Sequence, residues 1–316
     1  MRVAGVRDGM ATLGAGALLD CLVIGGGPAG LTAATYLRRF HRSVVVFDDG
    51  QSRARWIPES HNCPGFPLGV SGPELLTRLR QQAIGYGATI LSSTIQSLER
   101  AEDGWDARDG STTWRARTVI LATGVVDELP EIDGGDGVDA IRAGQLRLCA
   151  ICDGYEATDR SIAVVGPLGK AIAHACFLRG FSPRVAVVPT ASTSSDVPAT
   201  LSSRADALSI QVLPALRELS FEGDSCHVID AEGNRHAFDT VYAALGAPGR
   251  VNLARQAGVA LGANGEIRTD DHMRTSVEGV YAIGDVVTDL NQIAVAFGHA
   301  AIAATAAHRA LPQQPR

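Results

Sequence analysis

The sequence predicts an α/β fold built from two dinucleotide-type units, the second inserted in the first. Three observations predict it. Short apolar runs alternate with helix-like segments along most of the chain. A glycine turn, Gly25-x-Gly27-x-x-Gly30, follows the first apolar run directly. A second run, Ile162–Val165, also ends on a glycine, Gly166, and also leads into a helical stretch. This alternation builds parallel strands joined by covering helices.

Residues 1–18 are expected to be an extension before the first strand. Arg2 and Arg7 precede the apolar run Ala11–Leu19, but that run continues straight into Asp20-Cys21-Leu22-Val23-Ile24 and lacks a clear cleavage site. A strand reading therefore fits better than a signal peptide. Residues 20–24 form the first strand and residues 31–40 the first helix. Val44-Val45-Val46-Phe47 is a second buried strand, ending at Asp48, and together these make a βαβ unit. Residues 51–70 are rich in Pro, Gly, Ser and Asn and read as a long loop. Glu74–Gln82 has the pattern of an amphipathic helix. Short strands and turns lead to Thr118–Leu121, which enters Ala122-Thr123-Gly124.

A second βαβ signal starts at Ile162, with a helix near 171–180 and a strand at Arg184–Val188. The Ser/Thr/Pro-rich stretch 189–203 reads as a loop. Strand signals return up to Val241–Leu245, and segment 280–285 and an alanine-rich helix at 293–310 finish the pattern. The first unit is thus 19–125 plus 247–316, and the inserted unit is 126–246.

Composition narrows the function classes. The 316 residues suggest two domains, and 46% hydrophobic with 20% charged residues is ordinary for a globular protein. A net charge of -6 and the absence of a basic stripe argue against a nucleic-acid partner. No apolar segment reaches the roughly 18 residues a membrane helix needs. Six cysteines are too sparse for a secreted disulfide scaffold. A cytosolic setting is expected, where a lone Cys-x-x-Cys is more often catalytic than structural.

Two motifs carry chemistry. In the first glycine loop, Gly25 permits the tight turn, Gly27 lets the backbone approach a pyrophosphate, and Gly30 lets helix and strand pack closely. The helix N-terminus offers free N–H groups to phosphates. Asp48, or alternatively Asp49, would accept hydrogen bonds from ribose hydroxyls. These features make the units Rossmann-like. The second motif is Cys149-Ala150-Ile151-Cys152, followed by Asp153-Gly154. Two cysteines at this spacing can close a disulfide and reopen it, one acting as nucleophile and the other as resolving thiol. Zinc needs four ligands, usually two such pairs, and only one pair is present, so no metal is expected. Cys63, Cys176 and Cys226 have no such spacing and read as small buried residues.

These pieces together, with His61-Asn62-Cys63-Pro64-Gly65, Gly284-Asp285 and Asn291-Gln292-Ile293-Ala294, give the sequence its family resemblance. The chain resembles the low-molecular-weight thioredoxin-reductase family of FAD enzymes over essentially its whole length. The resemblance implies FAD in the first domain, contacted by Asn62, Thr123, Gly124, Asp285 and Gln292. Pro28, Ala29, Gly50, Gln51, Gly284 and Ile293 complete the candidate cofactor set. It also implies that Cys152 lies against the flavin and that Cys149 exchanges with the substrate disulfide. Asp153 would protonate the leaving thiolate. His61 would line the flavin pocket or be an idle loop residue, and His299 would lie near the flavin end. A homodimer is implied as well.

The sequence departs from the family in the second domain. A nicotinamide loop should read G-x-G-x-x-A, whereas this chain reads Gly166-Pro167-Leu168-Gly169-Lys170-Ala171. Leu168 stands where a glycine should let a pyrophosphate approach, and Pro167 removes an N–H. Residues 185–203 contain no Lys or Arg for a 2′-phosphate, and Pro189-Thr190 offers no carboxylate to an NAD ribose. NADPH use is therefore expected to be impaired or lost. Three activities stay open. The first is a reductase of thioredoxin or a similar small protein. The second is a dithiol oxidase that forms a disulfide in a small molecule and passes electrons to oxygen. The third is a redox-sensing flavoprotein without turnover. Dithiol-oxidase relatives tend to carry His after the second cysteine, and Asp153 fits the reductases.

Overall fold

The computed structural model describes residues 17–135, 137–190 and 197–313. Most of the expected N-terminal extension, the middle of the 189–203 loop and the last three residues lie outside them. The chain divides into two compact units. The first comprises residues 1–55, 73–126 and 248–316, and the second 56–72 and 127–247.

The first unit is organised by β1 (Leu18–Ile24), α1 (Pro28–Arg39) and β2 (Val44–Phe47), the expected βαβ unit. Pro28 sits at the start of α1, where its missing N–H costs nothing, and Arg38 and Arg39 close the last turn near the negative end of the helix dipole. Next come α2 (Gly72–Gly85), β3 (Thr89–Leu91), β4 (Ser97–Ala101), β5 (Gly104–Arg108) and β6 (Thr113–Leu121). After the second unit the chain returns through α7 (Asn252–Gln256), β15 (Val280–Ala282) and α8 (Ile293–Ala310). The sheet runs β3-β2-β1-β6-β5-β4, with β15 also paired to β6. The β3, β2, β1, β6 and β15 pairings are parallel, and β4 and β5 join antiparallel.

Alternation in β1 separates two cores. Cys21 and Val23 face α1 and α8, and Leu22 and Ile24 face the opposite core with Trp105, Leu98 and Leu253. The contact between α1 and α8 is lined by Ala33, Ala34, Ala300, Ala303, Ala304 and Ala307, all fully buried. Small side chains let two helix backbones approach closely, which explains why α8 is so rich in alanine. Behind this core, Arg42 is buried. It pairs with Asp20 at 3.5 Å, and its Nε donates to His308 Nδ1 at 3.0 Å and its Nη1 to the Pro312 carbonyl at 2.9 Å.

The second unit holds α3 (Gly137–Arg142), β7 (Leu146–Arg147), α4 (Ala150–Asp153), β8 (Ile162–Gly166), α5 (Leu168–Leu178) and β9 (Val185–Pro189). It continues through α6 (Ala199–Ala207), β10 (Gln211–Val212), β11 (Leu216–Glu222), β12 (Ser225–Asp230), β13 (Arg235–Phe238) and β14 (Thr240–Ala243). A parallel five-stranded sheet, β10-β9-β8-β14-β7, is joined by an antiparallel three-stranded one, β11-β12-β13. Ile162 and Val164 of β8 face α5 and α6, and Ala163 and Val165 face the three-stranded sheet through Leu219, Cys226 and Val228.

Three expectations change. Helix α6 begins at Ala199, inside the stretch expected to be loop to 203, because Pro198 leads it and Leu201, Ala205 and Leu208 line one helical face against the core. Residues 56–72, expected in the first unit, belong to the second. Trp56 packs on that unit's sheet-side core, a Ser60–Val70 bridge closes the segment, and the His61 ring pairs with Glu156 at 3.3 Å. The unit boundaries fall at 126/127 and 247/248, one residue beyond those expected.

Candidate functional site

In the first unit the candidate cofactor residues gather at the carboxyl end of the parallel strands. Gly25 turns the chain out of β1 with φ +116°, and its N–H donates to the Phe47 carbonyl at 2.9 Å. A Cβ at Gly25 would lie 2.1 Å from the Ala122 carbonyl oxygen, and one at Gly30 would lie 1.9 Å from that of Gly25. These positions accept only glycine, and the result is a backbone cradle beneath the N-terminus of α1. Asp48 is buried at the end of β2 against Gly26. Its Oδ1 accepts from the Gly50 N–H at 2.9 Å, and its Oδ2 pairs with Arg80 of α2.

The second wall comes from far along the chain. A Cβ on Gly284 would lie 3.0 Å from the Cβ of Ala29, so the turn Gly284–Val286 sits directly against the glycine loop. Asp285 pairs with Arg53 at 3.8 Å. The Gly284 N–H donates to His299 Nδ1 at 3.3 Å, and burial pulls His299 below the ordinary histidine range, which favours the neutral ring as acceptor. Thr123 donates to the Arg250 carbonyl at 2.7 Å. Arg250 in turn pairs with Asp49 at 3.8 Å and donates to the Gln51 carbonyl at 3.3 Å. Gln292 caps α8, with Ile293 its first residue.

This cradle fits a dinucleotide. Space beside Gly124 and Gly50 is open, and Asn291 Oδ1 and Thr32 Oγ1 are buried without a hydrogen-bond partner. Asn62 lies in the second unit, where it accepts a hydrogen bond from the Ser60 hydroxyl at 3.1 Å. Sequence reasoning missed Arg53, Arg80 and Arg250. Each meets its acid across a sequence separation that carries no periodic signal.

In the second unit Cys149 and Cys152 form a disulfide, with Cα atoms 5.3 Å apart. Cys149 caps α4, and its sulfur accepts the Cys152 N–H at 3.2 Å. Asp153 ends that helix. Arg147 Nη1 lies 3.1 Å from Asp153 Oδ2, and the Tyr242 hydroxyl donates to Oδ1 at 2.9 Å. Burial pushes the Asp153 carboxyl above the usual carboxylate range, and Glu156 adds to the rise. Arg147 and Tyr242 pull it back, and burial is the larger effect. The Tyr242 hydroxyl is itself raised by burial and then by the Asp153 charge, so it stays a donor.

The candidate nicotinamide loop corrects one expectation. The Leu168 side chain packs, partly buried, against the helix-side core of the second unit. An apolar side chain gains about 25 cal/mol for each Å² it removes from water, which favours that orientation. Gly169 faces open space. The Lys170 ammonium donates to the Leu245 carbonyl at 3.1 Å. Part of the segment where a 2′-phosphate partner is sought, 191–196, lies outside the described residues. Among the described residues no cluster of three His, Cys, Asp or Glu could hold a metal, and no helix is long and apolar enough to cross a membrane.

The model of the pyridine nucleotide-disulphide oxidoreductase family matches residues 19–300. The chain belongs to this family. It is a disulfide oxidoreductase, similar over its length to thioredoxin reductases. It is 29% identical to the thioredoxin reductase of Mycolicibacterium smegmatis over 93% of this chain and 97% of that one. The crystal structure of thioredoxin reductase from Streptococcus pyogenes superposes with a TM-score of 0.83 at 29% identity, covering 93% of this chain and 98% of that one. The crystal structure of HlmI superposes equally well, 0.83 at 31% identity, covering 92% of each chain.

Proposed function

We propose that this member of the family is an FAD-dependent thiol–disulfide oxidoreductase that reduces a thioredoxin-like protein through Cys149 and Cys152. The observation that carries the reading is the Cys149–Cys152 disulfide closed beside an acid, Asp153, whose carboxyl is raised by burial. The backbone cradle of Gly25, Gly27 and Gly30 would hold the FAD pyrophosphate, with Pro28 and Ala29 opening the helix above it. Asp48, Gly50 and Gln51 would face the adenosine side, and Thr123, Gly124, Gly284, Asp285, Gln292 and Ile293 the flavin side. When bound, FAD supplies the electron pair that opens the disulfide.

The chain's own chemistry follows from the dithiol. The Cys149 thiolate attacks one sulfur of the substrate disulfide, forming a mixed disulfide and expelling a thiolate. Asp153 gives that thiolate its proton. Cys152 then attacks Cys149, reforming the internal disulfide and releasing the second substrate thiol. Substrate gains two electrons and the protein dithiol loses two.

Electron supply is where this member would differ from its relatives. The absence of Lys and Arg between 185 and 203 and Pro167, which removes an N–H from the loop, support weak or lost NADPH binding. A homodimer in the cytosol completes the reading, on resemblance to the family. The test is anaerobic absorbance of the yellow protein mixed with NADPH, then NADH, with dithionite as control. No bleaching by either nucleotide and full bleaching by dithionite is expected. Fast, saturable bleaching by NADPH would overturn the nicotinamide part, and a protein purified without flavin that takes up none would overturn the FAD part.

A further inference from the structure

We propose that Arg147 and Tyr242 are positioning residues for Asp153, holding its carboxyl group beside the redox dithiol and setting its readiness to give up a proton. This rests on the acid role of Asp153 given above.

The arrangement begins in strand register. Arg147 on β7 and Tyr242 on β14 are direct partners in a parallel pair. Partnered residues of neighbouring strands project to the same face of the sheet, and Asp153 meets both of them there. Each contact is doubled. The Tyr242 hydroxyl donates to the carboxylate at 2.9 Å and to the Asp153 main-chain carbonyl at 3.1 Å. Arg147 Nη1 lies 3.1 Å from Asp153 Oδ2 and donates to the same carbonyl at 3.3 Å. Both carboxylate oxygens are therefore held, and so is the backbone one residue beyond Cys152. The holders are fixed in turn. Arg147 Nε donates to Thr240 Oγ1 at 3.2 Å, Thr240 donates to the Gln145 carbonyl at 3.1 Å, and Tyr242 is only 1% exposed.

The groups acting on Asp153 are Arg147 and Tyr242 from the sheet and Glu156 from the turn after α4. They pull in opposite directions. Burial and Glu156 favour the protonated carboxyl, and Arg147 and Tyr242 favour the carboxylate left once the proton has gone. A buried acid without these two partners would keep its proton too tightly. A carboxylate fully exposed to the guanidinium would not hold one at neutral pH. A purely structural role explains the pair less well, because a buried ion pair adds little to stability over well-packed apolar residues. The Asp153 side chain is 27% exposed, so a leaving sulfur can reach it.

The test is single-turnover reduction of a small aliphatic disulfide, whose leaving thiolate is basic enough to need a proton, by dithionite-reduced holoprotein, followed across pH. The rate should fall with rising pH as the acid loses its proton. Asp153→Asn should remove that limb and slow the reaction about 100-fold, the scale of one lost general acid. Tyr242→Phe should move the limb to higher pH, and Arg147→Met should move it further, Arg147 being the stronger of the two. Arg147→Lys, which keeps the charge, should restore it toward the parent position. Melting curves identify any variant that has lost its fold, and Tyr242→Phe, which removes one oxygen atom, then carries the test alone. An unmoved limb in folded Tyr242→Phe and Arg147→Met overturns the positioning role. A parental limb in Asp153→Asn overturns the acid assignment itself, and with it the role of both partners.

Discussion

Gly30→Ala tests the nucleotide cradle with one methyl group. Gly30 lies in the first turn of α1, and a Cβ there would stand 1.9 Å from the Gly25 carbonyl oxygen and 3.2 Å from Val23 Cγ1. Ordinary contact begins near 3.4 Å, so helix and turn would have to part by about 1.5 Å. Two effects compete. Alanine is worth about 1 kcal/mol over glycine inside a helix. Forcing a methyl into a filled contact costs about 1–3 kcal/mol, and here the nearest atom is backbone, which cannot rotate aside. With backbone as the clashing atom the steric cost falls at the upper end and wins, leaving a net loss of up to about 2 kcal/mol and a melting temperature lower by a few degrees. The same displacement lifts the helix N-terminus from the turn, so the variant should also retain less flavin. Thermal melting and the ratio of flavin to protein absorbance read the two effects separately. A variant with parental flavin content and a raised melting temperature would refute the reasoning, because helix propensity alone would then decide the outcome.

Three further outcomes are expected. In the oxidised folded protein no thiol should react quickly with a disulfide reagent, because Cys21, Cys63, Cys176 and Cys226 are buried and burial pushes the Cys21 and Cys226 thiols up to about 12. Reduction should expose the Cys149 and Cys152 pair alone, and mass spectrometry after labelling would locate any exception. Arg42→Met should cost about 3–5 kcal/mol, because it leaves the buried Asp20 charge without its cation, held by Ser43 alone, and frees the His308 and Pro312 carbonyls; chemical unfolding measures it. Asp230 is held down at about 2, first by the His236 side chain and then by the turn amides, so its contribution to stability is complete above the ordinary 3.8 and is lost as pH falls through about 2. Melting temperature followed down through that window should drop in the parent protein and flatten in Asp230→Asn.

The sequence made the first βαβ unit legible because three signals coincide there: an apolar run, a glycine turn and a helix opening on proline. The strand at Ile162 was legible for the same reason. The antiparallel sheet from Leu216 to Phe238 was visible only as scattered strand signals, because half-buried short strands leave little periodicity to read. Leu168 was placed correctly along the chain, but its side chain turns to the core, and no linear pattern shows which way a single residue at a helix start points. Arg147 was invisible as a partner of Asp153. It lies two residues before Cys149, but its meaning depends on Tyr242, and that meeting is made by the register of two strands far apart in sequence. Arg53 with Asp285 and Arg250 with Asp49 are hidden in the same way.

The chain changes units at 55/56, 72/73, 126/127 and 247/248, and this has a consequence during synthesis. The inserted unit has all its residues once position 247 leaves the ribosome. The first unit does not. Its β15 and α8 emerge last, and until then the alanine face of α1 and the sheet beneath it have no cover. The later-numbered unit should therefore mature first on the nascent chain, while the earlier one waits with its apolar face open. A ribosome stalled before residue 280 would present that face to chaperones and proteases.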